Sequence, residues 1–480
     1  MIHVEGLVAY VVVIGACCAR ILLRRHRQPE SRVAWLAVTL ALPYVGVVAY
    51  LLFGETNIGR KRAARLKQVF AGLPAPGLVA GSDASALSPH DRARFGHLFR
   101  LGETISGYAP TGGNRARLTE DSEAAISDLV ADIDRAVGSV HLLFYIWLDD
   151  GSGRKVAEAL KHAAARGVNC RVLVDDVGSR ALTRSDLWRS LPAAGVQVAR
   201  ALPVGNPLLR VIGSRIDLRN HRKIVVIDNR VTYCGSQNCA DAAFLPKARF
   251  APWVDILARF EGPVVRQNQH LFASDWMGAG GDDISHMLRE PMPETQAGGF
   301  TAQVVGTGPT VRNSAMSEMF ETLIYGAREN LFITTPYYAP SAALQAAIRA
   351  AANRGIETTI IFPARNDDFA IAATSRSYYR ELLEAGVRIY EYQAGLLHSK
   401  SLTIDGEITL IGSANMDRRS LDLNYENNIL VCDHEFTRAV RARQQDYVGD
   451  CREITLAEVV SWGVARQLLQ NTLAIVGPLL

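Results

Sequence analysis

The 480-residue chain has almost no surplus of charge: 52 Lys and Arg stand against 48 Asp and Glu, a formal net charge of +4. A chain-wide basic surface for nucleic acid is therefore not indicated, and any electropositive surface must be local. Cysteine is also scarce. The seven present, at positions 17, 18, 170, 234, 239, 432 and 451, are odd in number and lack the paired spacing of a thiolate metal site. Reduced, buried thiols are the better reading. Charge is missing altogether from residues 33–53, "VAWLAVTLALPYVGVVAYLLF", twenty-one residues that suffice to span a hydrocarbon layer.

Residues 33–53 are thus expected to form a membrane helix with a kink at Pro43. An earlier apolar run, residues 7–19, is only thirteen long before Arg20. It spans only if the following "RILL" is included and the arginine snorkels; a tilted or re-entrant helix is the alternative. The positive charges follow this run rather than precede it, which argues against a cleaved signal peptide. The expectation is an uncleaved hairpin over residues 1–57. Its sidedness is poorly marked, because Arg24, Arg25, Arg27 and Arg32 lie in the loop while Arg60, Lys61, Arg62, Arg65 and Lys67 follow the second segment. From 58 to 113 the chain turns rich in Gly, Pro and Ser, and reads as a connector.

Alternating strands and helices follow. "SVHLLFYIW" (139–147), a helix from about Arg154 to Gly167, "VNCRVLVDD" and "GVQVARAL" predict an α/β sheet covered on both faces. The order recurs as "NLFITTPYY" (330–338), "GIETTIIF" (355–362) and "EAGVRIYEY", so the chain is a tandem duplication with halves over 114–300 and 301–480. From the shared AGV tripeptide to the next histidine the first half takes 26 residues and the second 12, which places a 14-residue insertion in or near 202–220. Its apolar and basic mixture suits either a membrane surface or an ordinary loop.

Each half also carries one motif. "NHRKIVVIDNRVTYCGSQN" holds His221, Lys223 and Asp228; "LHSKSLTIDGEITLIGSAN" holds His398, Lys400 and Asp405. Read as strands, both place histidine and lysine on one face, with the aspartates on the other in a structural role, although the motif groups them with the catalytic set. Gly-Ser-x-Asn follows in each copy, so Ser236, Asn238, Ser413 and Asn415 are candidates for holding phosphate oxygens. If the halves pack about a pseudo-twofold axis, two imidazoles and two ammonium groups meet in one metal-free phosphoryl site. A carboxylate on each imidazole's other nitrogen would fix its tautomer; the candidates are Asp255 in "PWVD" and Glu426 in "NYEN". Tyr145 and Tyr337 could line the pocket, with core aromatics the preferred reading, and the C-terminal "VARQLLQNTLAIVGPLL" is expected as a helix packed on the second half rather than in contact with the membrane.

The duplicated H-x-K-x4-D with its G-S-x-N resembles the phospholipase D superfamily. Within it, the apolar N-terminus, "NHRKIVVID", "GSQNCADAAF", "WVDILARFEGPVV", "HSKSLTID", "GSANMDRRSLDLNYENN" and the terminal "GPLL" are similar to bacterial cardiolipin synthases. One departure is "RIDLRNHRK", with Asp217 where a neutral residue is expected. The resemblance implies two phospholipase D-like domains, each a mixed sheet flanked by helices, behind a two-helix membrane hairpin. It implies phosphatidyl transfer between two phosphatidylglycerols through a phosphatidyl-histidine, with His221 as nucleophile and His398 as acid and base. Lys223, Lys400, Asn238 and Asn415 would steady the phosphate charge, and no cofactor or metal is required. A phospholipase D-type hydrolase and a non-catalytic lipid-binding protein are the alternatives. The implied partners are phosphatidylglycerol and membrane lipids, not nucleic acid, and the implied location is the bacterial inner membrane, multi-pass, with the catalytic part on the cytoplasmic face. Oligomeric state is not set by the sequence.

Overall fold

Proline cannot donate a backbone hydrogen bond and restricts the residue before it, and both effects break the second apolar run. In the computed structural model, Pro29–Ala41 and Pro43–Ala49 are separate helices meeting at Leu42, followed by a π-helical turn, Tyr50–Gly54. The structure describes residues 2–24, 29–55, 58–79, 86–204, 215, 217–292, 294–312 and 314–476. Among these, no helix is long and apolar enough to cross a membrane. The first run forms a helix, Ile2–Leu23. Its Arg20 makes a bidentate pair with the buried Glu55, at 2.6 and 2.9 Å, so the charge that interrupts the run is neutralised within its own unit. The described residues of this unit fall within 2–64 and 204–218. Most of the insertion, 205–214 and 216, lies outside the described residues, as do Arg25, Arg27 and the terminal "GPLL". The unexpected Asp217 accepts from the Arg215 guanidinium at 2.5 and 2.8 Å.

The second unit is built on one fifteen-stranded mixed sheet. The first half contributes Thr111–Leu118, Leu257–Glu261, Val231–Gly235, Ile224–Ile227, Ser139–Phe144, Asn169–Asp175 and Gln197–Ala201, in that spatial order. The second half repeats the order with Phe300–Thr307, Glu426–Cys432, Ile408–Gly412, Ser401–Ile404, Asn330–Thr334, Glu357–Pro363 and Arg388–Tyr392, and adds Cys451–Ile454 at its edge. In each half an antiparallel inner region gives way to three parallel strands, whose runs are apolar because helices cover both faces. The halves join where Thr111–Leu118 pairs antiparallel with Phe300–Thr307. This inner junction brings the two motif strands' ends toward one centre.

The stretch read as a connector is partly core. Ser88 caps a helix, Pro89–Ser106, whose Phe95, Leu98, Phe99 and Ile105 bury against Val305, Met316 and Met319 of the second half. Thr111–Leu118 then crosses the expected boundary at 114 to become a central strand. Gly and Pro there punctuate a helix rather than a linker: Gly107, at φ +74°, is the left-handed residue that ends it.

Candidate active site

The regular strands begin one residue after each motif lysine, at Ile224 and Ser401. His221 to Lys223 and His398 to Lys400 are therefore lead-in segments, not strand residues, which corrects the strand reading. What orients them is a bond to the opposite half: the His221 N–H donates to the Tyr425 carbonyl at 2.9 Å, and the His398 N–H to the Val254 carbonyl at 2.8 Å. Each lysine then folds back, its ammonium donating to the carbonyl of its own histidine, at 2.8 Å for Lys223 and 2.6 Å for Lys400.

The residues after those two carbonyls are the carboxylates. Glu426 receives His221 Nδ1 at 3.0 Å, and Asp255 receives His398 Nδ1 at 2.6 Å. Both predicted carboxylates are thus in place, and each serves the histidine of the other half. A carboxylate on Nδ1 keeps the proton there and leaves the Nε2 lone pair for chemistry. Burial drives the His221 imidazole down to about 4, with Glu426 opposing and Lys223 assisting. Burial likewise lowers His398, aided by Lys400 and opposed by Asp255. Burial would raise both carboxyls, yet the adjoining histidine and lysine hold each below its usual range. The ammonium groups lose affinity for their protons on burial, Lys223 to about 8 and Lys400 to about 7, against the pull of the same carboxylates.

Two expectations are corrected by the hydrogen bonds. Ser236 and Ser413 are fully buried and donate to Asp255 and Glu426 respectively, so their hydroxyls orient carboxylates instead of reaching a phosphate. Asp228 and Asp405 are not at the site. Each sits at positive φ in the turn after the motif strand; Asp228 accepts the N–H groups of Val137, Gly138 and Ser139, and Asp405 those of Arg328, Glu329 and Asn330. Both aspartates thus lie in turns, away from the cavity lining, where they tie the end of the motif strand to neighbouring backbone N–H groups.

His221 and His398 line one cavity of about 270 Å³. Asn238 and Asn415 line it too, and among the described residues Asn415 Oδ1 has no hydrogen-bond partner. Tyr145 and Tyr337, expected in the core, instead form its wall, Tyr145 edge-on to His221 at 4.8 Å. Sequence reasoning missed Trp253, 4.8 Å from the His398 ring, and the charged lining of Arg219, Arg419, Asp417 and Lys247. Trp253 lies two residues before Asp255, a position that could have suggested it. Asp417 and Arg419 stand inside "GSANMDRRS" without counterparts in "GSQNCADAA", an asymmetry legible in the sequence but given no role. Burial pushes the Asp417 carboxyl up to about 6. Among the described residues, no group of three or more His, Cys, Asp or Glu is arranged to hold a metal ion.

The family model described as "Cardiolipin synthase, PLD-like domain" matches residues 129–276 and 320–446, more than half of the chain, and covers both histidines with their carboxylates. The chain belongs to the cardiolipin synthase family. A second model, "Phospholipase_D-nuclease N-terminal", matches residues 7–55. Cardiolipin synthase A of Edwardsiella ictaluri is 38% identical over 444 residues, covering 92% of this chain and 90% of the relative. That of Escherichia fergusonii is 38% identical over 452 residues, covering 93% and 92%. The crystal structure of phosphatidylserine synthase from Haemophilus influenzae superposes with a TM-score of 0.57 at 14% identity, over 76% of this chain and 95% of that one, and so shares the fold. Family membership makes the chain a phosphatidyltransferase of the phospholipase D superfamily, as the sequence reading expected.

Proposed function

We propose that the chain joins two phosphatidylglycerols into cardiolipin and glycerol through a phosphatidyl-histidine, at the inner membrane of a bacterium. The observation that carries the proposal is the exchanged pair of carboxylate-held imidazoles lining a single cavity. An incoming phosphodiester monoanion adds one negative charge that a proton on one imidazole offsets.

His398 is the better seat for that proton. Asp255 gives one oxygen to His398 and Ser236. Glu426 is shared among His221, Ser413, Ser420 and Asn424, which disperses the charge available to His221. His221 therefore stays neutral and its Nε2 attacks phosphorus, forming the N–P bond, while His398 gives its proton to the departing glycerol oxygen. The neutral His398 next removes the proton of a glycerol hydroxyl on a second phosphatidylglycerol, whose oxygen attacks phosphorus and releases His221. Lys223, Lys400, Asn238 and Asn415 stabilise charge on the non-bridging oxygens. One phosphodiester replaces another, so the step is reversible.

The aromatic wall of Tyr145, Tyr337 and Trp253 limits water at the intermediate, which favours transfer over hydrolysis. The Ile2–Leu23 helix and the broken second run are assigned to membrane attachment, with the catalytic unit on the cytoplasmic side. The test is product analysis of the full chain in phosphatidylglycerol liposomes with chelator and without nucleotide. Cardiolipin with one glycerol per product is expected; phosphatidic acid in its place would make the chain a hydrolase and overturn the proposal.

A further inference from the structure

The C-terminal helix, Val464–Val476, is seated the wrong way round for a globular surface. Its apolar residues fall on one face at helical spacing, yet Val464, Leu468, Leu469 and Ile475 are all exposed, while Gln470 on the opposite face is only 5% exposed. The side turned inward carries Gln470 with the partly buried Leu473 and Ala474. Arg466 stacks on Trp462 at 3.6 Å, Trp462 packs on Tyr379, and the helix lies along a second one, Phe369–Ser377. The expected packing on the second half is thus present, but Leu468 and Leu469 face away from it, while Leu473 is partly buried.

The supporting helix leads back to the cavity. Asp367, Asp368 and Ile371 line it, and Phe369 between them is 68% exposed. Across the mouth, Phe244 and Lys247 also line it while the intervening Leu245 is 74% exposed. Lys247 bridges to Asp367 at 2.5 Å, which ties these two rim segments together. Exposed apolar side chains thus stand at the cavity rim and along the C-terminal helix that packs on the rim's own helix, with the exposed Arg249 four residues from Leu245.

We propose that these side chains, Leu245, Phe369, Val464, Leu468, Leu469 and Ile475, form a shelf that seats on the surface of a phospholipid bilayer so that the cavity opens at the headgroup level. The proposal rests on the lipid-transferase reading. A cavity of about 270 Å³ is too small for two acyl chains, so the chains of both substrates must stay in the bilayer while the phosphate enters. A second copy of the chain seated on the shelf would cover the rim through which those substrates arrive. The exposed Arg249 near the rim suits an anionic headgroup, Lys247 being paired with Asp367.

The full chain, reconstituted in vesicles of phosphatidylglycerol and phosphatidylcholine, is to be irradiated with a phosphatidylglycerol carrying a diazirine on its acyl chain, and the cross-linked peptides mapped. Cross-links on Val464–Val476 and around Phe369 are expected; cross-links confined to residues 2–55, or protein-to-protein links through the shelf, would overturn the proposal. In parallel, a Leu468→Gln/Leu469→Gln variant should lose about ten-fold in rate on vesicles. Its rate on short-chain phosphatidylglycerol dispersed as monomers should be unchanged, which also shows that it folds. An equal loss on both substrates, or none on vesicles, would sink the idea. Should the unaltered chain make no cardiolipin, the transferase reading fails, whereas the cross-link map still decides the shelf.

Discussion

The two histidine sites have the same motif and opposite surroundings. His398 has a close carboxylate, Asp255 at 2.6 Å, shared with one serine; His221 has a longer contact, Glu426 at 3.0 Å, shared with Ser413, Ser420 and Asn424. One extra methylene and two further donors separate them. Because each carboxylate comes from the other half, neither half is complete alone, and divergence in one half tunes the proton affinity of the other's imidazole. The lesson is that duplication supplied two equal imidazoles, and their hydrogen-bonded surroundings assign them different work.

The most severe way to break the comparison is to remove either ring. His221→Ala and His398→Ala should each lower turnover on phosphatidylglycerol by about 10³-fold or more with the fold intact. A phosphodiester with a p-nitrophenol leaving group separates them, since it needs no proton on departure. His398→Ala should then still give a burst of p-nitrophenol and a covalent adduct, and His221→Ala neither. A burst from His221→Ala alone would reverse the assignment.

Removing charge while keeping shape comes next. Asp255→Asn should cost about 10³-fold in kcat, because the amide cannot hold the imidazolium of His398 and can impose the wrong tautomer. Glu426→Gln should cost less, about 10²-fold, since its histidine works neutral. Circular dichroism of both variants guards against misfolding, and a larger loss for Glu426→Gln would contradict the roles given to the two histidines.

The lysines sharpen the comparison through pH. Lys400, held at about 7, loses its charge before Lys223, held at about 8. A lowered ammonium pKa means charge is present below that value and lost above it, so kcat/KM should fall as pH rises through 7 to 8. Lys400→Arg, which stays protonated, should move this fall upward by about one unit in a pH profile, and an unmoved profile would show that Lys400 does not set it.

Much of this was legible before the fold was known. The spacing of the repeats gave both motifs, the apolar runs gave the parallel strands, and the need to fix an imidazole tautomer pointed to Asp255 and Glu426. Which histidine each carboxylate serves was not legible, because the exchange depends on how Thr111–Leu118 and Phe300–Thr307 join the halves. The hydroxyls of Ser236 and Ser413 were misread for the same reason: residue type says what can donate, and only packing says what accepts. The helix Pro89–Ser106 was hidden by the Gly, Pro and Ser on either side of it, and periodicity alone did not show that Leu468 and Leu469 of Val464–Val476 face outward.

The smallest effect on chemistry should come from the motif aspartates, and they compare the halves once more. Both accept three backbone N–H groups, but Asp405 also receives the Arg94 guanidinium at 3.1 Å, from the helix that packs on the second half's core. Asp405 is nearly buried while Asp228 is partly exposed. Replacing a buried acceptor of several donors by an amide turns one lone-pair face into a donor and leaves N–H groups unsatisfied, at about 1–3 kcal/mol each. Asp405→Asn should therefore lower the unfolding free energy by about 2–3 kcal/mol and Asp228→Asn by about 1 kcal/mol, measured by urea denaturation in detergent. Both should keep kcat within a few-fold at temperatures where they are folded. A folded Asp228→Asn with a large loss of kcat would show that the turn does more than anchor the strand whose other end carries His221.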